Sequence, residues 1–437
     1  MLRRHRLVAS ALVPVLVAVS SCSGGAPGAR TVDAAPEVKS LLDTVFLRVA
    51  ANDLDLPRAG RVYANLSLAM LAAVAPTDGV SRTLLGLVPG APAVTAPEGL
   101  DAGIAAVAAG AGVARGLLPG RINRTALATA RDLAISRLSE GRDDAVVARS
   151  VAFGVRIAAA VRTRAARDGS AHAASAQVDP VADASTAAGE WVPTPPSYSP
   201  PVEPGWGGVR RFLRVSRTCF ALRPPQGADP ASPYEEEAQQ VRDAVEGLTE
   251  QQRLVAGFWD DTHGMTGTTA GHWVNIALAA AAHKGRDLAG TVNAVAATAM
   301  ASADAVAVSW KARYRSRVER PVTVIRRSEP DWQPYLVTPA VPDHPSTHTA
   351  VSRAAAEVLT GLLGESPFHD PGHGVPARMR ARQGVRKQVF ESFLAAARQA
   401  GLSRVWGGVE YRMSVRAGDV LGACIGTGVV QAVTDGG

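Results

Sequence analysis

Cysteine and aromatic residues are scarce in this chain of 437 residues, which contains three cysteines and 5% aromatic residues. No cysteine or histidine spacing matches a zinc site, and the sequence has no glycine-rich nucleotide loop, no repeat and no convincing alternating strand pattern. These absences argue against a zinc-stabilised protein, a nucleotide-binding α/β domain and a β-sandwich.

Concentrated basic tracts with interleaved aromatic residues are also missing, although the formal net charge is +7. Such tracts are typical of nucleic-acid-binding proteins, so nucleic acid ranks last among the partners that a basic chain could have. The other partners that suit a basic chain are an anionic substrate and an anionic membrane surface. Arginine greatly outnumbers lysine, and arginine binds oxyanions through paired N–H groups.

The composition that is present favours helices. The chain is rich in alanine and 47% hydrophobic, and its apolar residues recur at helical spacing. We therefore predict an all-α fold in which helical bundles surround one polar pocket. The predicted parts are an N-terminal helical part at 36–168, a proline-rich wrapping segment at 169–235, and a C-terminal helical part at 236–437 that includes helices at 288–317 and 377–400.

Residues 1–22 have the pattern of an export signal. Basic residues at 3–6 precede the apolar run from Leu7 to Val19, which is too short for a comfortable membrane span. Small residues then lead to Cys22, as in a bacterial lipobox, although an ordinary signal peptide would also contain such a run. We expect an exported protein held on the outer side of the bacterial cell membrane by lipid on Cys22, with residues 23–35 as a flexible tether.

The other two cysteines, Cys219 and Cys424, are far apart in the sequence. Export permits a disulfide between them, but the sequence alone leaves their pairing open.

Two arginines and a serine–histidine motif point to an anion site. Arg313 and Arg320 are seven residues apart, close to two helical turns, so we expect both on one helical face, clamping an oxyanion. Ser346 precedes an apolar helix at 349–363, where its hydroxyl and the free N–H groups of the helix start would form a second anion-binding surface. His348 is placed to exchange a proton with the anion.

These residues belong to an ordered set of motifs that resembles the vanadium-dependent haloperoxidases and the type 2 phosphatidic acid phosphatases. The set is Trp310, Arg313-Tyr314, Arg320-Pro321, Pro345-Ser346-Thr347-His348 and Ser403-Arg404. The likeness covers most of the mature chain and implies vanadate or phosphate as the bound anion, with a small molecule as substrate. By that resemblance the anion-binding residues are Arg320, Ser346, the N–H of Thr347 and Arg404, and the acid–base group is His348.

Three positions depart from the family pattern. Arg313 stands in place of a lysine and keeps its charge. Glu410 replaces the histidine that binds vanadium in the oxidases and attacks phosphorus in the phosphatases, and Ser414 replaces the aspartate that orients that histidine. The joint change indicates loss of a functional pair.

Three functions therefore compete. The first is peroxide-dependent halide oxidation with bound vanadate. The second is a phosphatase in which Glu410 serves as general base on water and His348 protonates the leaving group. The third is a non-catalytic, anion-binding lipoprotein in which Glu410 forms an internal ion pair with Arg404 or Arg320.

Overall fold

A computed structural model describes residues 33–175, 189–224, 234–370, 372 and 388–435. The predicted signal peptide, Cys22 and nearly all of the tether lie outside the described residues, and the first helix begins at Ala35.

The regular secondary structure of the described chain is almost entirely helical, which confirms the all-α prediction. The α-helices are α1 (Ala35–Ala51), α2 (Leu56–Val74), α3 (Gly79–Gly86), α4 (Ala102–Leu117), α5 (Arg121–Ser139), α6 (Asp144–Ala165), α7 (Ser170–Ser175), α8 (Glu235–Glu246), α9 (Glu250–Phe258), α10 (Thr268–His283), α11 (Leu288–Ser316), α12 (Pro321–Ile325), α13 (Thr347–Leu363), α14 (Phe393–Trp406) and α15 (Arg412–Asp435). Two 3-10 helices, Pro204–Gly208 and Val215–Thr218, and two strands, β1 (Phe368–Asp370) and β2 (Gln388–Phe390), complete the list.

Helix α11 is the central helix of the fold. Asp287 caps its start by accepting a hydrogen bond from the Gly290 N–H, and every residue from Thr291 to Trp310 is buried. The helix packs against α2, α10 and α13. Both α11 and α15 are long and apolar enough to cross a membrane, but the protein itself buries all of the apolar stretch of α11 and 39% of that of α15. The apolar composition of α11 therefore serves the core.

Helix α15 lies unusually close to α13, because glycines replace side chains along its inner face. A Cβ atom added at Gly418 would lie 2.3 Å from the Ser346 carbonyl oxygen, and one at Gly422 would lie 2.4 Å from the Ala350 carbonyl oxygen. No side chain fits at such distances. The approach lets the Ser346 N–H donate to the Ser414 carbonyl at 2.9 Å, so that the starts of the two helices meet.

A short hairpin was not anticipated from the sequence. Strands β1 and β2 pair antiparallel, with Phe368 opposite Phe390, and each has three residues, too few to show an alternating pattern. The helix predicted at 377–400 is wrong over 388–392, since α14 begins at Phe393, where the Ser392 side chain accepts from the Ala395 N–H. Residues 377–387 lie outside the described residues.

Residues 189–224 cross the helices as extended chain with the two 3-10 helices. Trp206 is buried in the main core. The Asp304 carboxylate on α11 accepts hydrogen bonds from the N–H groups of Phe212 and Leu213 at 2.6 and 2.8 Å. This buried carboxylate supplies acceptors that an extended segment cannot provide for itself.

A disulfide joins Cys219 in this segment to Cys424 on α15, with an S–S distance of 2.05 Å. It provides the pairing that the sequence left open. The bond ties the crossing segment to the helix that carries Ser414.

Candidate functional site

Arg313 and Arg320 meet, but not through one helical face, so that expectation is wrong. Helix α11 ends at Ser316, Arg317 takes the left-handed conformation with φ 51°, and Arg320 is the N-cap of α12. The chain turns between the two arginines. Both side chains are nevertheless almost fully buried, with 2% and 0% exposure.

Backbone carbonyls hold the two guanidinium groups in place. Arg320 donates through Nε to the Val341 carbonyl at 2.7 Å and through Nη1 to the Val409 carbonyl at 2.8 Å. Arg313 donates through Nη1 to the Pro342 carbonyl. Arg313 Nε and Arg320 Nη2 have no hydrogen-bond partner among the described residues, so their N–H groups are available for a guest.

Helix α13 begins at Thr347, two residues before the predicted start at 349, and Ser346 is its N-cap. The Ser346 hydroxyl accepts from the Thr349 N–H at 3.1 Å. The Thr347 hydroxyl donates to the Ser309 hydroxyl at 2.9 Å, which draws this branched side chain against α11. Ser346 is fully buried and does not line the cavity described next, whereas Thr347 and His348 do.

A cavity of about 330 Å³ brings most of the predicted residues together. The predicted residues in its lining are Arg313, Arg320, Thr347, His348, Arg404 and Glu410. Apolar groups such as Leu56, Val202 and Pro339 complete the wall. A polar cluster inside a largely apolar wall is typical of a small-molecule site.

Glu410 supplies the cavity with an anion of its own. One carboxylate oxygen lies 2.7 Å from Arg313 Nη2 and 3.7 Å from Arg320 Nη1. Burial would raise the pKa of Glu410, but the charges of Arg313, Arg404 and Arg320 outweigh it and lower the pKa to about 2. Its main partner is therefore Arg313, where the sequence had suggested Arg404 or Arg320.

Arg404 differs from the other two arginines because it forms no ion pair with a described residue. Its side chain is buried, with 5% of the residue exposed, and its Nε has no hydrogen-bond partner among the described residues. Three further buried atoms lack a hydrogen-bond partner among the described residues, namely Arg313 Nε, Arg320 Nη2 and the second Glu410 oxygen. Buried polar atoms are rarely left unpaired, so their convergence marks a place for a polar guest.

His348 points one ring nitrogen at the protein and leaves the other without a partner. Nε2 lies 3.0 Å from the Trp259 carbonyl and 3.3 Å from Asp261 Oδ2, whereas Nδ1 is buried and unpaired among the described residues. Burial lowers the pKa of His348, and the Arg404 charge adds to that effect, although Asp261 opposes it.

Asp343 belongs to the site, and sequence reasoning missed it. It lies 3.3 Å from Arg320 Nη1 and accepts a hydrogen bond from the Ser414 hydroxyl. Burial and the nearby Glu410 charge raise the pKa of Asp343 to about 7, against the opposing effect of Arg320. In the sequence, only its position two residues before Pro345 pointed to a place in the site. The carboxylate absent at position 414 is thus supplied by a different residue in the same neighbourhood.

A family model described as the VCPO second helical-bundle domain matches residues 293–436. The first bacterial vanadium-dependent iodoperoxidase has a solved structure that superposes with a TM-score of 0.80 at 28% identity, covering 91% of this chain and 96% of that one. The chain therefore has the fold of the bacterial vanadium haloperoxidases and is similar to the iodoperoxidase along most of its length.

More distant haloperoxidases share the fold. A holo-type bacterial vanadium-dependent chloroperoxidase superposes with a TM-score of 0.63 at 16% identity, over 88% of this chain and 93% of that one. An apo-type structure superposes with a TM-score of 0.64 at 17% identity, covering 88% of this chain and 94% of that one. The search of curated proteins returned no match.

Vanadate binding in the family needs groups that hold the oxyanion and a nitrogen ligand, and this cavity provides the first but not the second. Three guanidinium groups with unpaired N–H atoms suit a tetrahedral oxyanion held by charge and hydrogen bonds. Glu410 offers a carboxylate oxygen where the family has a nitrogen ligand, and its negative charge repels an incoming oxyanion. The residues fit a noncovalently held oxyanion and do not fit vanadate bound through a histidine.

Replacing Asp343 with asparagine is expected to change how stability depends on pH. The folded-state pKa of about 7 lies above the ordinary value of 3.8, so the folded protein binds the extra proton between these values. The stabilisation from this group is complete below the lower value and is lost as the pH rises through the higher one. Urea unfolding should show that the free energy of unfolding falls more between about pH 5 and about pH 8 in the wild type than in Asp343→Asn. Equal losses would contradict the assignment.

Proposed function

We propose that this haloperoxidase-fold protein binds a small tetrahedral oxyanion noncovalently, and that Glu410 has displaced the covalent chemistry of its relatives. The observation that carries the proposal is the 2.7 Å ion pair between Glu410 and Arg313 inside the cavity. Under this proposal the protein acts outside the cell membrane, held there by lipid on Cys22 as its sequence predicts.

Charge favours anion binding even with Glu410 in place. The three guanidinium groups outnumber Glu410 and Asp343, the two carboxylates that contact them, and Asp343 is partly neutral near neutral pH. Arg404, which has no ion pair with a described residue, supplies the positive charge that a guest would meet. This excess is confined to the arginine cluster, because Asp55, Asp260 and Asp261 also line the cavity. Close to the buried guanidinium groups it acts at low dielectric and is little screened by salt.

A phosphatase mechanism is less well supported. A general base works best when its pKa lies near the operating pH, and the three arginines hold the pKa of Glu410 at about 2. The carboxylate is therefore too weak a base to activate water at neutral pH. A phosphatase of the family kind would also need a histidine nucleophile at this position.

Peroxide-dependent halide oxidation, which is the activity of the relatives, remains the second candidate. One observation favours it: His348, the acid–base residue by resemblance, keeps an unpaired nitrogen in the cavity lining. The missing nitrogen ligand at Glu410 weighs against it.

Calorimetry with phosphate and with vanadate tests the proposal. We expect both anions to bind the wild type, and Arg404→Gln to weaken binding by about tenfold to a hundredfold, since a hydrogen bond to a charged group contributes about 1.5–3 kcal/mol. Arg398→Gln is the matched control, because Arg398 is exposed on the same helix. Unchanged affinity in Arg404→Gln would show that the anion binds elsewhere.

Two activity assays accompany the binding measurement. Purified protein with vanadate, peroxide and bromide reports halide oxidation, and a chromogenic phosphate ester reports hydrolysis. Silence in both, with measurable binding, is the expected result. Vanadate-dependent turnover in the first assay would select the second candidate, and ester hydrolysis lost in Arg404→Gln would select a phosphatase.

A further inference from the structure

A buried histidine behind the cavity carries two carboxylate partners. His272 on α10 has no exposed surface; its Nδ1 lies 3.1 Å from Asp261 Oδ1, and its Nε2 lies 3.1 and 3.2 Å from the Asp370 oxygens. A carboxylate facing each ring nitrogen requires a proton on each. Burial opposes this charge, but the two carboxylates outweigh it and raise the pKa of His272 to about 10.

Asp261 links this histidine to His348. Its other oxygen, Oδ2, lies 3.3 Å from His348 Nε2, which also faces the Trp259 carbonyl at 3.0 Å. A backbone carbonyl can only accept, so Nε2 carries the hydrogen. In the neutral ring the lone pair then lies on Nδ1, the atom that has no partner among the described residues.

Asp261 is shared between the two histidines. One of its oxygens faces His272 Nδ1 and the other faces His348 Nε2. Its carboxylate therefore lies next to His348 and favours a second proton on that ring. Burial and the Arg404 charge oppose the proton while the cavity holds no anion, and Glu410 on the cavity side favours it weakly.

We propose that Asp370, His272 and Asp261 form a buried relay, that is, a chain of hydrogen-bonded side chains whose charge acts on His348. This relay couples oxyanion binding to proton uptake at His348 Nδ1. The inference rests on the proposed function. A bound oxyanion offsets the charge of Arg404 and gives Nδ1–H an acceptor. The proton comes from solvent, protonates the lone pair of Nδ1, and returns to solvent when the anion leaves. Asp261 is a positioning residue in this scheme, since it acts through His348.

Calorimetry with sulfate tests the coupling, because sulfate is a tetrahedral oxyanion that does not itself titrate near neutral pH. Titrations in buffers of different ionisation enthalpy count the protons taken up. We expect the wild type to take up a fraction of a proton approaching one, and Asp261→Asn to take up much less. The midpoint of the pH profile of binding should fall by about one unit in that variant, since a nearby opposite charge shifts a pKa by about 1–3 units.

Two variants serve as controls. Asp53→Asn makes the same change at the more exposed pair of Asp53 and His263, 2.6 Å apart, and should keep wild-type proton uptake. Because His263 also lines the cavity, this variant tests whether that pair supplies the proton instead. His348→Gln should bind sulfate and lose the share of proton uptake that His348 supplies, keeping only the share from Asp343, whose pKa is about 7. Wild-type uptake in Asp261→Asn with sulfate bound would overturn the relay, even if that variant were less stable, because a purely structural role would not change proton linkage.

A measurement without any anion keeps the two proposals separate. In ¹⁵N spectra of the histidine rings, His272 should stay doubly protonated well above neutral pH, and neutral His348 should carry its proton on Nε2. A His272 that titrates near the ordinary value, or a His348 protonated on Nδ1 alone, would overturn the relay. Absence of sulfate binding with these ring states present would instead overturn the proposed oxyanion function.

Discussion

Replacing Arg320 with alanine is expected to abolish oxyanion binding and to lower the free energy of unfolding by about 3–5 kcal/mol. The substitution removes the partner of Asp343 and leaves the Val341 and Val409 carbonyls without the donors that lie 2.7 and 2.8 Å away. Removing one member of a buried pair costs this much because the remaining charge stays away from water. Asp343 can escape part of the cost by taking up a proton, so the loss should be larger above pH 7 than below it.

Urea unfolding and sulfate calorimetry measure the two effects of Arg320→Ala separately. Arg315→Ala is the control, since Arg315 lies on the same stretch of chain but is exposed. Arg404→Gln should weaken binding with little change in stability, because Arg404 forms no ion pair with a described residue. Full sulfate affinity in folded Arg320→Ala would show that the arginines do not form the anion site.

Sequence periodicity and capping residues predicted the long helix α11 and the start of α13. The helix predicted at 288–317 is observed at Leu288–Ser316, and Ser346 caps the helix it was expected to precede. These features depend on local spacing and on capping chemistry, which a sequence displays directly. The order of the family motifs identified Thr347, His348, Arg404 and Glu410, which line the same cavity.

The errors arose where long-range packing decides the outcome. Arg313 and Arg320 face each other because Arg317 turns the chain, and nothing in a seven-residue spacing reveals a left-handed residue between them. Asp343 contacts Ser414 across 71 positions, and His272 contacts Asp370 across 98. Each of these polar residues looks ordinary in sequence, since its role depends on partners that only the fold brings close.

The contact between Asp343 and Ser414 changes how the family histidine could be restored. The hydroxyl of Ser414 donates to Asp343, and His344 Nδ1 lies 3.2 Å from the same hydroxyl. Ser414→Asp would place a second carboxylate against Asp343, and two adjacent buried carboxylates cannot both stay ionised. Glu410→His with Ser414→Asp would therefore restore the residue types of the family without restoring an ionised orienting group.

Glu410→His, Ser414→Asp and Asp343→Asn together are expected to produce vanadate-dependent bromide oxidation from a background close to zero. The asparagine amide can donate to the new carboxylate, which keeps that carboxylate ionised and able to orient the new imidazole. Removing Glu410 also frees Arg313 and Arg320 from their internal anion. The triple variant should exceed the double variant by about tenfold to a hundredfold, the usual effect of groups that orient a ligand.

Peroxide and bromide assays with and without vanadate measure this gain, and excess phosphate should suppress it by competing for the same arginines. Vanadate binding by the triple variant is checked separately by ⁵¹V NMR. A triple variant that is folded and binds vanadate, yet oxidises no bromide, would show that Glu410 and Ser414 are not the reason for inactivity. The cause would then lie in groups that the three substitutions leave unchanged. Arg313, which stands in place of the family lysine, is the first of these to replace. Its guanidinium group is fixed by the Pro342 carbonyl, whereas a lysine would carry one compact charge on a flexible stem.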